Sequence, residues 1–151
     1  MKPIFALLCL FLIVSCGPAI DVSQFHLRGE KTKATSIEMI KAEANFRFDN
    51  NLEKVDREQR HGHYYVIRWN NRHLTDKNLP LTVKLNYLQA DQGRTPRVLT
   101  KKVWPKEERK VEFQVIGNDY LENGRVLAWR AELYQEERLL AHDESFLWGN
   151  N

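Results

Sequence analysis

Histidines and carboxylates are the first residues to weigh for chemistry, and few of them have a useful spacing. His61-Gly62-His63 is the one close histidine pair. Two histidines two apart on a strand face could hold zinc if a third ligand and an open position completed the site. Gly62 can turn the chain between them, which would set the imidazoles on different faces. His26, His73 and His142 are scattered, so no metal is expected. The carboxylate pairs Asp119 with Glu122 and Asp143 with Glu144 could divide general-acid and general-base roles. Turns and solvent-facing strand positions collect acidic residues anyway, and that is the simpler account of both pairs. The nucleophile motifs G-x-S-x-G, H-E-x-x-H, S-x-x-K and the phosphate-binding loop are absent, and beyond residue 16 the serines are Ser23, Ser36 and Ser145. The expectation is a chain without catalysis and without a cofactor.

The aromatic residues offer binding chemistry instead. Of the four tryptophans, Trp69 and Trp129 fall within apolar alternation and read as core. Trp104 and Trp148 fall at strand ends, beside Pro105 and Gly149. A ring presented there could stack on a sugar or anchor a protein partner, so these two are the candidate ligand or partner contacts. The simpler alternative is that each plugs an end of the fold. Tyr64, Tyr87, Tyr120 and Tyr134 pose the same choice. Tyr120, just before the penultimate strand, could also bond back to its own chain as a tyrosine corner does.

The elements that must position these residues are strands. His63, Tyr65, Ile67 and Trp69 alternate with Tyr64, Val66 and Arg68 until Asn70-Asn71. Leu81, Val83, Leu85 and Tyr87 do the same with Thr82, Lys84 and Asn86. Arg97 to Trp104 reads as an edge strand, since Lys101 and Lys102 would blunt unwanted pairing. Val111, Phe113 and Val115 make the next strand, and Asp119 to Gly124 a corner. Leu127, Trp129, Ala131 and Leu133 then pair with Leu139 to Trp148. A two-residue turn at Glu136-Glu137 would set Arg130 opposite Asp143, but it would also place His142 and Glu144 on the face of Trp129. The conflict calls for a longer turn or a bulge near Asp143. Upstream, Val22 to Leu27 is a short strand candidate. Met39 to Phe48 alternates as a strand, although Thr35 and Glu38 would equally fit a helix capping box. Asp56 and Gly62 bracket a single helical turn.

Composition narrows the class. The chain has 151 residues, 42% hydrophobic and 28% charged, which is ordinary for one folded domain and wrong for disorder. Basic and acidic residues number 23 and 20, too even a balance to favour nucleic acid. The two cysteines, Cys9 and Cys16, both precede the strands, so the core forms without a disulfide.

Those cysteines belong to a leader. Lys2 is followed by an uncharged apolar run from Ile4 to Val14, then Ser15 and Cys16, the order of an export signal. Beyond it no apolar run approaches the ~18 to 20 residues that span a bilayer. Ile13-Val14-Ser15-Cys16 resembles the lipobox of bacterial lipoproteins. The resemblance implies cleavage before Cys16, acylation of that cysteine and attachment to a membrane through its lipid. Gly17, where aspartate would retain a lipoprotein at the inner membrane, leans by the same resemblance toward the outer one.

Seven short strands with turn signals and no repeated helices argue for an all-β, antiparallel sandwich. The strand part resembles immunoglobulin-like and fibronectin-III-like sandwiches in architecture. It is also similar to uncharacterised envelope lipoproteins carrying the patterns seen here as Tyr64-Tyr65 with Trp69, Gly124 to Arg130 and Ser145 to Trp148, a likeness that implies no activity. The expected organisation is a signal peptide at 1–15, a lipid-anchored tether at 16–34 and a sandwich at 35–151. The expected role is a non-catalytic structural or interaction module of the cell envelope, with an envelope protein or a glycan as partner. Carbohydrate binding through exposed aromatics is the alternative, ahead of a hydrolase.

Overall fold

Two antiparallel sheets face each other across one apolar core. The structure is a computed structural model and describes residues 19–27 and 59–149, apart from the His73 side chain. The leader, Cys16, the Met39–Phe48 strand or its helical alternative, and the turn beginning near Asp56 lie outside the described residues. The strands are β1 (Ile20–Leu27), β2 (Gly62–Trp69), β3 (Leu81–Gln89), β4 (Arg97–Val103), β5 (Lys110–Ile116), β6 (Val126–Gln135) and β7 (Arg138–Glu144). A short helix, α1 (Asn118–Asn123), connects β5 to β6.

The sheets are β1-β2-β5 and β4-β3-β6-β7. Lettered in chain order as A, B, C, C′, E, F and G, they are A-B-E and C′-C-F-G. The fourth strand thus joins the C-F-G sheet and leaves A-B-E with three strands, unlike the constant-type immunoglobulin order. β1 is one edge of its sheet and β4 one edge of the other, the latter as its lysines foretell.

Strict alternation builds the core. Tyr65, Ile67 and Trp69 meet Val111, Phe113 and Val115 on one sheet, while Leu81, Val83, Leu85, Tyr87, Ala131 and Leu133 line the other. Each large side chain buried this fully contributes on the order of 1.5–3 kcal/mol. A second, smaller cluster occupies the outer face of the three-stranded sheet. Phe25 and Leu27 on β1 join Tyr64 and Val66 on β2 there, with Ile116 packed against them. Phe25 stacks on Tyr64 at 5.0 Å between ring centroids. β2 is therefore buried on both faces near Gly62.

Four expectations change. The tether range 16–34 includes β1, which is hydrogen-bonded to β2 from Ile20↔Trp69 to Leu27↔Gly62; the sandwich begins by Ile20. Leu127, aligned by alternation with the core, is 42% exposed. It is the extra residue of a bulge, because Leu88 pairs with Ala128 and Gln89 with Val126. The β6–β7 turn is the two-residue Glu136-Glu137, with Glu136 at φ +55°. Its bulge lies at Leu140, not near Asp143: Tyr134 pairs with Leu139 and Leu133 with Ala141. That one extra residue puts Arg130 opposite Glu144, with 3.3 Å between guanidinium and carboxylate.

Two buried glutamines hold the loops to the sheet. Gln135, 3% exposed, accepts the N–H groups of Thr75 (2.9 Å) and Asp76 (3.2 Å) and donates to the carbonyls of Asp76 and Leu79. Gln89, fully buried, donates to the carbonyls of Asp119 and Gly124, each at 3.1 Å, and accepts from Arg97. They lie at opposite ends of the β3–β6 pair. Each satisfies backbone groups that a loop leaves unpaired.

Candidate functional site

The densest polar constellation gathers around α1, the corner between the sheets. α1 follows Gly117, whose N–H donates to the carbonyl of His61 at 3.2 Å. That bond ties the corner to the entry of β2. Asp119 accepts from the Tyr87 hydroxyl at 3.3 Å, from the Asn123 amide at 2.9 Å and from Arg97, with which it forms an ion pair. Three elements, α1, β3 and β4, thus converge on one carboxylate.

Tyr120, on the same turn of helix, reaches the other sheet. Its hydroxyl shares a hydrogen bond with His26 Nε2 at 2.8 Å. His26 stacks on its cross-strand partner His63, centroids 4.0 Å apart. Gln24 donates to His63 Nδ1 at 3.1 Å and to the Tyr65 hydroxyl at 3.3 Å, and it accepts the Trp129 indole N–H at 2.8 Å. A single glutamine at a sheet edge therefore joins β1, β2 and β6.

Burial raises the Tyr65 phenol above its ordinary range, with the neighbouring Tyr87 adding to it. Tyr87 is raised by burial first and then by the Asp119 carboxylate, while Arg97 opposes. An acid whose folded-state pKa exceeds its unfolded value of about 10 stabilises the fold below that pH. As pH climbs past 10, the unfolded chain releases the proton and the folded chain keeps it. Stability is then expected to fall by up to about 1.4 kcal/mol per pH unit for Tyr65 alone. Melting curves from pH 9 to 11 test this, and Tyr65→Phe should flatten the slope. An unchanged slope in that variant would show that Tyr65 does not carry it.

The sequence candidates separate in space. His61 lies outside β2 and His63 within it, with Gly62 between them at φ +144°; the ring stacked on His63 is His26. Among the described residues no three His, Cys, Asp or Glu side chains gather as a metal site. Asp119 is spent on Tyr87, Arg97 and Asn123, and Glu144 faces Arg130. Tyr120 does not bond back to its own segment but crosses to His26. Trp104 follows β4 and is 51% exposed, so it does not plug the sandwich; Pro105 beside it is fully buried and does. Trp148, half-buried, follows β7 at the opposite end. The two rings share no platform.

Two further surfaces carry polar groups. On the outer face of the four-stranded sheet, Glu132 pairs with Arg130 at 3.0 Å and accepts from Asn86 (3.1 Å) and Tyr134 (3.2 Å). Lys84 lies 4.6 Å above the Tyr134 ring. Every member is engaged with a neighbour on the sheet. Between the edges β4 and β5 runs an open groove of about 410 Å³ lined by Leu99, Thr100, Lys101, Glu112, Phe113 and Gln114. Lys101 crosses it to donate to the Glu112 carbonyl at 2.6 Å.

Sequence reasoning missed Gln24, His26, Gln89 and Gln135 as organising residues. The signal available was the alternation of Gln24 and His26 with Phe25 and Leu27, which marks a strand but not which face turns inward. No family model matches the chain, and neither does a curated protein or a solved structure.

Proposed function

We propose that the chain is an envelope lipoprotein, acylated on Cys16 after cleavage of residues 1–15, whose β-sandwich serves as a non-catalytic structural or interaction module. The observation that carries this reading is the order of the leader: Lys2, an uncharged apolar run, then Ile13-Val14-Ser15-Cys16. The polar clusters of the sandwich favour a module over an enzyme, because Asp119, Glu132 and Glu144 are all committed to partners within the fold. Gly17 after the cysteine favours the outer membrane. The partner class is an envelope protein or a glycan.

Cys16→Ala tests the anchor directly. The variant is expected to leave the membrane fraction, and its intact mass to lack the acyl chains carried by the wild type. A variant that stays in the membrane with wild-type mass would sink the proposal.

A further inference from the structure

The lipid-anchor reading has a geometric consequence for the surface around Trp104. Three residues separate Cys16 from Ile20, the first residue of β1. A chain that short spans at most about 14 Å, so a lipid on Cys16 would hold the Ile20 end of the sandwich against the bilayer. Trp104 belongs to that end. The carbonyl of Ala19 accepts the Asn70 N–H at 3.0 Å, and the Asn71 side-chain amide donates to the Pro105 carbonyl at 3.2 Å. Two bonds and one loop thus connect the exit of the anchor segment to the turn that bears Trp104.

That turn is stiff. The N–H groups of Glu107 and Glu108 both reach the Trp104 carbonyl at 3.0 Å, and Pro105 is buried beneath. Half of the Trp104 surface nevertheless stays in water. Around it Lys102, Lys106, Arg109 and Lys110 are exposed, against Glu107 and Glu108. An indole with an apolar body and one N–H donor suits the headgroup layer of a membrane, and exposed cations beside it suit anionic lipid.

Resting on the lipid-anchor reading, we propose that Trp104 and the basic turn after it form a second membrane contact, seating the sandwich end-on upon the leaflet that holds the Cys16 lipid. The ligand is a lipid surface containing anionic headgroups. The lipid on Cys16 supplies the attachment, and the interfacial contact sets how the sandwich is oriented upon it.

The test uses the full protein purified from membranes and reconstituted in phosphatidylethanolamine–phosphatidylglycerol vesicles. These carry a nitroxide quencher near the top of the acyl chain. Intact mass first reports the lipid on Cys16; its absence overturns the anchor reading before any fluorescence is recorded. With the lipid present, the quencher is expected to remove one tryptophan's share of the emission from the wild type. That loss should vanish in Trp104→Phe, whose melting temperature should be unchanged because the ring is exposed. Equal quenching of the two acylated proteins overturns the membrane contact while leaving the anchor in place. Trp104 shielded in whole cells yet unquenched in these vesicles overturns it in favour of a protein partner.

Discussion

Gly62→Ala is expected to unfold the domain or to destabilise it by more than about 4 kcal/mol, the range reserved for core disruption. Gly62 opens β2, the central strand of its sheet, at φ +144°. A methyl group built there overlaps the Val115 carbonyl oxygen and lies 2.9 Å from the Ile116 Cα. Both are backbone atoms of β5, so neither can swing aside as a side chain could. The strand must separate from its neighbour or its backbone must leave the positive-φ region, and either move breaks pairing at Gly62↔Ile116. For a domain of this size the melting temperature should drop by about 15 °C or more. Gly93→Ala is the control. Gly93 also has positive φ, +64°, but nothing lies within 4 Å of the added carbon. Its cost should stay near 1 kcal/mol. Equal losses in the two variants would refute the steric account and leave only backbone conformation as the cause.

The second large effect is expected at Gln135. Gln135→Leu keeps the size of the side chain and removes its four hydrogen bonds to residues 75–79. Two N–H groups and the Leu79 carbonyl then lose this partner, while the Asp76 carbonyl keeps the Leu79 N–H at 3.4 Å. Leaving buried backbone groups unsatisfied costs about 1–3 kcal/mol apiece before water re-enters, so a net loss of about 3 kcal/mol is expected. Hydrogen exchange supplies a local readout: the Thr75 and Asp76 amides should exchange much faster, while those in mid-β3 change only with global stability. Gln114→Leu, at an exposed position of β5, should move stability by no more than about 0.5 kcal/mol. Unchanged protection at Thr75 in Gln135→Leu would defeat this account.

Strand positions were legible in the sequence wherever one face alone is buried. β3 and β5 follow period two because their outer residues, such as Lys84 and Gln114, face solvent. The pattern misleads where the physics is non-local. Leu127 continues the apolar alternation, yet the bulge that expels it arises from pairing with β3, some forty residues earlier. The β6–β7 register could be narrowed to a longer turn or a bulge but not placed, because nothing in the local alternation marks Leu140 as the extra residue. Tyr64 and Val66 look like the solvent-facing half of an alternating strand; both are buried in the outer cluster. Gln89 and Gln135 look like strand-end polar residues, and nothing nearby announces that their partners lie 30 to 60 positions away. Trp104 and Trp148 could be singled out as candidates, whereas their separation to opposite ends follows only from the assembled topology.

The pairing pattern has a consequence in chain entropy. Among the described strands only the β3–β4 and β6–β7 pairings are closed by short turns. The other three pairings, β1–β2, β2–β5 and β3–β6, each bring together residues at least 35 positions apart, as Leu27↔Gly62 does. Closing such loops surrenders conformational freedom before any long-range contact rewards it, which places this topology among slow-folding ones. The penalty grows only logarithmically, by about 0.6 kcal/mol for each doubling of a flexible loop. The three long-range pairings therefore carry nearly equal closure penalties, although their nearest partners, Leu27↔Gly62, Gln89↔Val126 and Arg68↔Lys110, differ in separation.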